Sequence, residues 1–238
     1  MIVEQTRAWL KQARSVAVLT GAGVSEESGV PTFRGKQGLW RQYRPEDLAT
    51  AEAFDRDPRL VWEWYNWRRS LVAKAHPNPG HYALADLEQR IPNFTLVSQN
   101  VDDLHEQAGS RNVLKIHGDI WLVRCTGCGR QHVDPRPSLP DIPPRCHCGG
   151  LLRPGVVWFG EELPTGIWCR ALEAARTADL FLVIGTSAVV YPAASLVKVA
   201  RQAGARVVEF NIAETVITNE IDAFHGGPCG ELLPRLLS

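Results

Sequence analysis

Four cysteines are spaced as metal ligands are. Cys125 and Cys128 are separated by two residues, and Cys146 and Cys148 by one. A C-x2-C pair lets two thiolates reach one tetrahedral ion at about 2.3 Å, and a second pair completes the coordination. Because four sulfur ligands leave no open position, the spacing predicts one structural Zn²⁺. Two disulfides, or four unused thiols, are the alternatives.

The segment around these cysteines, about residues 122–157, is rich in proline and glycine and has little periodicity. It cannot bury enough apolar surface to order itself without a cross-link, so we interpret it as a small module held by metal. The second pair is tighter than the usual spacing, which leaves His132 and His147 as alternative ligands. Cys169 lies in an amphipathic stretch and is expected to be a small core residue.

A glycine loop follows the first apolar run. The predicted strand Ser15–Thr20 leads directly into Gly21-Ala22-Gly23. Glycines at this point let backbone N–H groups approach a phosphate, and a following helix N-terminus adds a favourable dipole. The dehydrogenase fingerprint requires a third glycine where Glu26 stands. The loop is therefore compatible with a nucleotide but not with a standard dehydrogenase, and a plain tight turn is the alternative.

Polar or small residues follow four further predicted strands. Ligands bind beyond the carboxyl ends of the strands in an open parallel sheet, so these segments together predict a polar crevice. The segments are Gln99-Asn100-Val101-Asp102, His117-Gly118, Gly185-Thr186-Ser187 and Asn211. An imidazole at such a strand end could act as a general base. A hydrogen-bonded structural histidine is the alternative for His117.

Short apolar runs alternate with longer amphipathic stretches, which predicts an α/β fold with a parallel sheet and helices on both faces. Strands are predicted at 15–20, 94–98, 113–116, 179–184 and 206–210. Helices are predicted at 3–14, 57–75, 101–108 and 193–202, with a further one ending near Arg90.

The composition excludes several classes of protein. The 238 residues carry 26 basic and 26 acidic side chains, so the formal net charge is zero. A neutral chain has no overall attraction for nucleic acid or anionic membrane, and no apolar run approaches the roughly 20 residues that span a bilayer. The N-terminal segment lacks the apolar core of a secretory signal. We therefore expect a cytoplasmic protein, monomeric by default, in a compartment where thiols favour metal over disulfide.

Taken in order, the motifs carry a resemblance. They are Gly-Ala-Gly-Val-Ser at 21–25, Ser28-Gly29-Val30-Pro31, Phe33-Arg34-Gly35, Gln99-Asn100-Val101-Asp102, His117-Gly118, the four cysteines and Gly185-Thr186-Ser187. This set resembles the sirtuin family of NAD-dependent protein deacylases from about residue 15 to the C-terminus. The resemblance implies a discontinuous Rossmann-like domain at 1–121 and 158–238, a zinc ribbon at 122–157, and a helical insertion at about 36–80.

The resemblance also implies a role for individual residues. The phosphates and nicotinamide ribose of NAD would contact Gly21, Ala22, Gly23, Ser25, Phe33, Arg34 and Trp40. Gln99, Asn100 and Asp102 would line the nicotinamide pocket. Gly185, Thr186, Ser187, Asn211, Ile212 and Cys229 would hold the adenosine half. The substrate peptide would pair as an added strand with Val156, Val157, Trp158, Phe159 and Gly160.

The family reaction implies two catalytic residues, His117 and Asn100. The acyl-lysine carbonyl oxygen attacks the ribose carbon as nicotinamide leaves, which gives an alkylimidate. His117 then removes a proton from the ribose hydroxyls, and water completes hydrolysis to free lysine and 2′-O-acyl-ADP-ribose. NAD is consumed, so the reaction is acyl transfer and not redox chemistry.

Two departures from the common sirtuin pattern, Thr32 and Asp103, resemble the branch that acts on acidic acyl groups. That branch carries a Tyr-x-x-Arg pair, which Tyr65 and Arg68 supply, and a small residue that Ala49 matches. Tyr65 and Arg68 share a helix face, and a guanidinium with a phenol hydroxyl suits a carboxylate. The resemblance therefore implies succinyl or malonyl recognition.

The alternative for this helix is structural. Trp62, Trp64, Tyr65 and Trp67 would pack a core, with Arg68 and Arg69 on the solvent side. Two alternatives also remain for the function. The same site could transfer ADP-ribose to a protein, or the chain could be a zinc-ribbon module that senses NAD without turnover.

Overall fold

A computed structural model describes residues 2–34 and 38–237. The strands are β1 Ser15–Thr20, β2 Asn93–Ser98, β3 Val113–Lys115, β4 Gly118–Cys125, β5 Gln131–Val133, β6 Leu152–Val156, β7 Leu180–Ile184, β8 Arg206–Asn211 and β9 Ala223–Gly226. The α-helices are α1 Ile2–Gln12, α2 Pro45–Leu48, α3 Ala51–Arg56, α4 Pro58–Val72, α5 Pro79–Arg90, α6 Leu104–Gln107, α7 Thr165–Thr177, α8 Ser195–Gln202 and α9 Cys229–Leu237. Short 3-10 helices lie at Ala22–Val24, Glu26–Ser28, Leu39–Arg41 and Thr218–Glu220.

The main sheet has six strands in the order β3-β2-β1-β7-β8-β9, and every neighbouring pair is parallel. The chain first moves outward from β1 to β3 and then returns to build the other half from β7. The strand order therefore reverses between β1 and β7, and parallel α/β sheets bind ligands outside the carboxyl ends of their strands at such a reversal.

Both faces of this sheet are buried, which explains why its central strands are nearly continuous apolar runs. Val18 and Leu182 lie on one face, in a core cluster with residues of α1, α5 and α9. Leu19 and Phe181 lie on the opposite face, against α7 and α8. Successive strand residues thus alternate between two cores.

A second sheet has three antiparallel strands in the order β5-β4-β6. Its inner side joins a third core cluster that also contains residues of α2, α3 and α4. Trp62 and Val123 belong to this cluster, and neither side chain is exposed. The cysteine module and the helical insertion therefore share one hydrophobic core.

Helix α4 begins with two independent signals. Asp57 caps it by accepting a hydrogen bond from the Leu60 backbone N–H at 2.9 Å, and Pro58 occupies the first helical position, where a missing N–H costs nothing. Its buried side includes Trp62, Tyr65 and Arg68.

The predicted α/β fold with a parallel sheet and a small cysteine module is confirmed. Each predicted strand of the main sheet is present. The elements that were not predicted are β9, the three strands β4, β5 and β6 of the second sheet, and the helices α2, α3, α7 and α9. The expectation for Cys169 is wrong: this residue is exposed on α7. The domain boundaries at 121/122 and 157/158 stay a prediction. No helix among the described residues is long and apolar enough to cross a membrane.

Candidate functional site

The loops that follow β1 and β7 interlock at the reversal of strand order. The Gly21 N–H donates to the Ile184 carbonyl at 3.0 Å, and the Gly23 N–H donates to the Gly185 carbonyl at 2.8 Å. A Cβ added at Gly23 would lie 2.8 Å from that same oxygen, and Gly185 has φ +58. Glycine is required at these positions because the two backbones approach so closely.

Three backbone N–H groups at this junction, those of Ala22, Thr186 and Ser187, donate to no acceptor among the described residues. Ala22 opens the 3-10 helix Ala22–Val24. The other glycine-loop N–H groups, at Gly21 and Gly23, are used within the protein. Neighbouring N–H groups without an acceptor favour an anion, so the interlocked loops suit a phosphate or pyrophosphate.

Two amide side chains tie neighbouring strand ends together. Gln99, after β2, donates from Nε2 to the Thr20 carbonyl at 3.2 Å and to Thr186 Oγ1 at 3.0 Å. Asn211, the last residue of β8, donates from Nδ2 to the Thr186 carbonyl at 2.9 Å. The ends of four adjacent strands, β2, β1, β7 and β8, are therefore joined by polar contacts and form the floor of one crevice.

A buried polar network lies at one end of this floor. Asn100 Nδ2 donates to the Gly21 carbonyl at 3.2 Å and to Ser25 Oγ at 3.1 Å. Ser25 Oγ in turn donates to Asp102 Oδ2 at 3.1 Å. Burial raises the pKa of Asp102, which hydrogen bonds from Leu104 and Ser25 partly oppose. This network fixes the orientation of the Asn100 amide.

Two histidines that the sequence analysis did not select complete the network. The Asn78 N–H donates to His81 Nδ1 at 3.2 Å, so Nε2 carries the proton and faces Ser25 Oγ at 3.5 Å. The His105 ring lies 4.8 Å from the His81 ring. Burial lowers the pKa of His81 to about 4 and the pKa of His105 well below its ordinary value. Both rings are therefore neutral near pH 7. No spacing signal in the sequence distinguishes them from core histidines.

His117 lies just beyond β3, at the same edge of the sheet. Its Nδ1 is 2.9 Å from the Gln99 carbonyl oxygen. Because a carbonyl can only accept, Nδ1 must carry the proton, and Nε2 is left with a free lone pair. Burial lowers the pKa of His117, and the hydrogen bond to Gln99 opposes this only in part. A neutral imidazole with one lone pair available is a competent general base.

The next residue explains how His117 is placed between two sheets. Gly118 has φ +81, and a Cβ there would lie 2.3 Å from the Gly155 carbonyl oxygen. The backbone turns at this glycine from the main sheet into β4. The His117 carbonyl accepts a hydrogen bond from the Val157 N–H at 2.9 Å, which couples the histidine to the segment that follows β6.

The predicted peptide-binding segment, Val156 to Gly160, runs from His117 to the helical insertion. The Phe159 N–H donates to the Ala49 carbonyl at 3.0 Å, and Phe159 forms a parallel bridge with Thr50. The N–H groups of Val157 and Phe159 are thus used within the protein. A substrate strand would therefore have to pair with the other edge of this segment, and that pairing stays a prediction.

Tyr65 and Arg68 are three residues apart on the buried side of α4. Their exposed fractions are 3% and 6%. The Arg68 guanidinium carbon is 4.3 Å from the centre of the Phe33 ring. No carboxylate among the described residues lies within ion-pair distance of Arg68. Burial lowers the pKa of Arg68, and the charges of Tyr65 and Asp102 oppose this in part.

The structural alternative for α4 is wrong in two respects. It places Arg68 and Arg69 on the solvent side, whereas both are buried. Arg69 is held by the carbonyl oxygens of Asp134 and Arg136. Trp67, which that alternative assigns to the core, is 38% exposed.

The other predicted site residues differ in their exposure to solvent. Arg34 and Ile212 are exposed, whereas Cys229 packs in the core cluster with α5 and α9. Gly35 and the Trp40 side chain lie outside the described residues. Thr32 Oγ1 donates to the Arg34 carbonyl at 2.9 Å, and the buried Oδ1 of Asp103 has no partner within the described ranges.

The four module cysteines converge. Their sulfur atoms all lie within 4.8 Å of one another, with Cys125 and Cys148 at 3.4 Å and Cys128 and Cys146 at 3.8 Å. These separations exceed a disulfide bond of about 2.05 Å and match the roughly 3.8 Å expected between thiolates around one tetrahedral zinc. Neither His132 nor His147 belongs to the cluster within the described part of the chain. The donor set and its geometry fit structural zinc.

Comparisons with known proteins agree with this arrangement. A model of the Sir2 family matches residues 21–192. An Aquifex aeolicus (strain VF5) protein named NAD-dependent protein deacylase is 57% identical over 209 residues, which is 87% of each chain. A Sir2 homologue solved as an NAD complex is 49% identical, with a TM-score of 0.92 over 98% of this chain and 92% of that chain. A Sir2 structure bound to acetylated peptide is 28% identical, with a TM-score of 0.88 over 100% and 98% of the two chains. The similarity spans the sheet and the cysteine module alike, and the chain belongs to the Sir2 family.

Proposed function

We propose that this chain is an NAD-dependent protein-lysine deacylase that removes succinyl and malonyl groups in preference to acetyl. The products would be nicotinamide and 2′-O-acyl-ADP-ribose. The observation that carries the proposal is His117, a neutral imidazole with Nε2 free, placed beside a crevice of unused backbone N–H groups. The names of the Aquifex relative and of the NAD complex support the same activity.

The crevice fits NAD on two counts. The unused N–H groups of Ala22, Thr186 and Ser187 suit a pyrophosphate, and the reversal of strand order is where dinucleotides bind in such sheets. Asn211 and Ile212 would hold the adenosine half from the next strand end. NAD, when bound, supplies a ribose carbon from which nicotinamide departs and hydroxyls that receive the acyl group.

The residues near β2 and β3 would carry out the proton chemistry. His117 Nε2 would take a proton from a ribose hydroxyl, because Nδ1 is already committed to the Gln99 carbonyl. Asn100, whose amide is fixed by Gly21 and Ser25, would orient the nicotinamide end. Preorganised polar groups of this kind lower the barrier because they need not reorient during the reaction.

The acyl preference rests on Arg68. A buried guanidinium without a carboxylate partner is costly, and a ligand carboxylate would remove that cost through a charge-assisted hydrogen bond. Tyr65 lies next to it and offers a hydroxyl. Ala49 is buried in the same core cluster as Tyr65, and its small side chain would favour an acyl group longer than acetyl.

Four thiolates would hold the zinc, and its role would be structural because no coordination position is left open. The cysteine module also carries β6, which leads into the Val156 to Gly160 segment that would receive the acyl-lysine peptide. The cytoplasmic location and the monomeric state stay predictions.

The proposal is tested by mass spectrometry of one peptide carrying acetyl-, malonyl- or succinyl-lysine, incubated with the protein and NAD. We expect free lysine, nicotinamide and the matching acyl-ADP-ribose, with the acidic acyl groups removed fastest. Omitting either NAD or the acyl group should abolish nicotinamide release. ADP-ribose retained covalently on a protein, without deacylation, would contradict the proposal and favour the transferase alternative.

A further inference from the structure

We propose that Trp158 determines acyl selectivity by positioning the Tyr65 hydroxyl, so that the phenol proton points at the acyl carboxylate. This inference rests on the proposed acidic-acyl deacylase function and names a residue that acts through Tyr65. Trp158 Nε1 lies 2.9 Å from the Tyr65 oxygen. Both side chains are 3% exposed.

The direction of this hydrogen bond follows from chemistry alone. An indole N–H can only donate, whereas a phenol hydroxyl can donate and accept. Tyr65 must therefore accept from Trp158, and its own proton must point elsewhere. No second partner for this hydroxyl exists among the described residues. Burial raises the pKa of Tyr65 to about 12, so the proton is present throughout the neutral range.

The groups around Tyr65 determine the direction in which its hydroxyl proton points. Tyr65 and Arg68 are three residues apart on α4, both buried. A donating hydroxyl beside a guanidinium without a carboxylate partner suits an acceptor that carries negative charge. A neutral acyl chain of the same length offers neither an acceptor nor a charge at this point.

Trp158 is itself held rigidly. Its backbone N–H donates to Glu161 Oε2 at 2.8 Å, and the Arg153 guanidinium lies 3.5 Å from its ring centre. Arg153 and Glu161 form a two-pronged ion pair at 2.5 and 2.8 Å. This chain of contacts fixes the indole, so the hydroxyl is oriented before substrate arrives.

The test is a double-mutant cycle on a selectivity ratio. We compare kcat/KM for succinyl-lysine with kcat/KM for butyryl-lysine on one peptide, in wild type, Trp158→Phe, Tyr65→Phe and the double variant. The two substrates share the peptide, so any effect of Trp158 on peptide binding cancels in the ratio. We expect Trp158→Phe to lower the ratio about 5- to 10-fold, through KM for the succinyl peptide. Tyr65→Phe should lower it at least as much, and the double variant should match Tyr65→Phe alone.

Trp62→Phe is the matched control. Trp62 also donates from a buried indole, to the Leu152 carbonyl at 2.8 Å, so it does not supply the hydrogen bond that the Tyr65 hydroxyl accepts. We expect this variant to lose stability and keep the wild-type ratio. Independent, multiplicative effects of Trp158→Phe and Tyr65→Phe would overturn the inference, as would an unchanged ratio in Trp158→Phe. A wild-type ratio of one or below would overturn the acidic-acyl preference and this inference together.

Discussion

The crevice and the cysteine module are ordered by different forces. All five residues of β7, in the main sheet, are buried, whereas all three residues of β5, in the module, are exposed. Apolar burial stabilises the crevice on both faces of its sheet. The module has little such burial beyond its inner side, so its outer loops depend on four sulfur atoms converging on one ion.

This difference matters because the module contacts α4, the helix that would recognise the acyl group under the proposed function. Asn66 of α4 exchanges two hydrogen bonds with Leu139, both at 3.0 Å. Arg69 reaches the carbonyl oxygens of Asp134 and Arg136. Helix α4 also carries Arg68. We therefore expect that zinc binding in the cysteine module affects acyl recognition at Arg68. The crevice itself lies on the main sheet, where His117 is its link to the segment that follows β6.

Removal of zinc should have the largest effect. Metal binding contributes on the order of 10 kcal/mol to the folding of small zinc modules, so stripping the ion with a chelator should unfold the module. Hydrogen exchange should show lost amide protection in β4 and β6 and retained protection in β1 and β7. Colorimetric titration should recover one zinc per chain.

Cys169→Ser provides the control, because this thiol is exposed and lies outside the cluster. It should leave the zinc content unchanged, whereas Cys128→Ser should lower it. Retained protection of β4 in the zinc-free protein would contradict the idea that the module depends on metal.

Loss of the base should come next in size. General acid–base groups contribute about 10²- to 10⁴-fold to rate, so His117→Ala should lower kcat for deacylation by that amount. His132→Ala, on the exposed strand β5, is the control and should retain full activity. A His117→Ala enzyme with wild-type kcat would remove His117 from the reaction. Thermal unfolding of both variants should confirm that they remain folded.

The sequence predicted the main sheet well because both of its faces are buried. A run such as Ser15–Thr20 has no polar face, and its apolar character alone identifies a central strand. The polar residues at strand ends were predicted to meet for a topological reason, since parallel strands bring their carboxyl ends to one edge. Their pairwise contacts, such as Gln99 with Thr186, required the strand order.

Burial of charged and titratable residues could not be predicted in the same way. Arg68 and Arg69 are adjacent, yet Arg69 is held by carbonyl oxygens of the module, whereas the Arg68 guanidinium lies over the Phe33 ring. Only tertiary packing distinguishes them. His81 and His105 lie on separate helices, and their ring centres are 4.8 Å apart. Cys169 was assigned to the core from amphipathicity, but its helix turns that position toward solvent.

The acyl pocket should respond less than the base. A hydrogen bond to a charged group contributes about 1.5–3 kcal/mol, so Arg68→Met should lower the succinyl-to-butyryl ratio of kcat/KM about 10- to 100-fold. Arg68 has no carboxylate partner within the described residues, so its removal should not lower the melting temperature.

Arg59→Met is the control on the same helix. Arg59 is exposed and pairs with Glu63 at 3.0 Å, so neither ratio nor melting temperature should change beyond error. An Arg68→Met protein that melts at a clearly lower temperature but keeps the wild-type ratio would assign Arg68 to the fold rather than to the substrate.

The smallest expected effect is the dependence of activity on pH, to which His117 and the zinc thiolates of the module can both contribute. His117 acts as a base only when neutral, and burial lowers its pKa from the ordinary 6.5. The neutral fraction rises with pH, so kcat/KM should be flat above pH 6.5 and should fall about tenfold per unit only below the lowered pKa. An imidazole with the ordinary pKa would already lose half its activity at pH 6.5, so a loss of less than about twofold at that pH indicates the buried base.

Acid also protonates zinc thiolates, so zinc content must be measured at each pH. Activity that falls in step with zinc loss would assign the acid limb to the module, whereas a fall with zinc retained assigns it to His117.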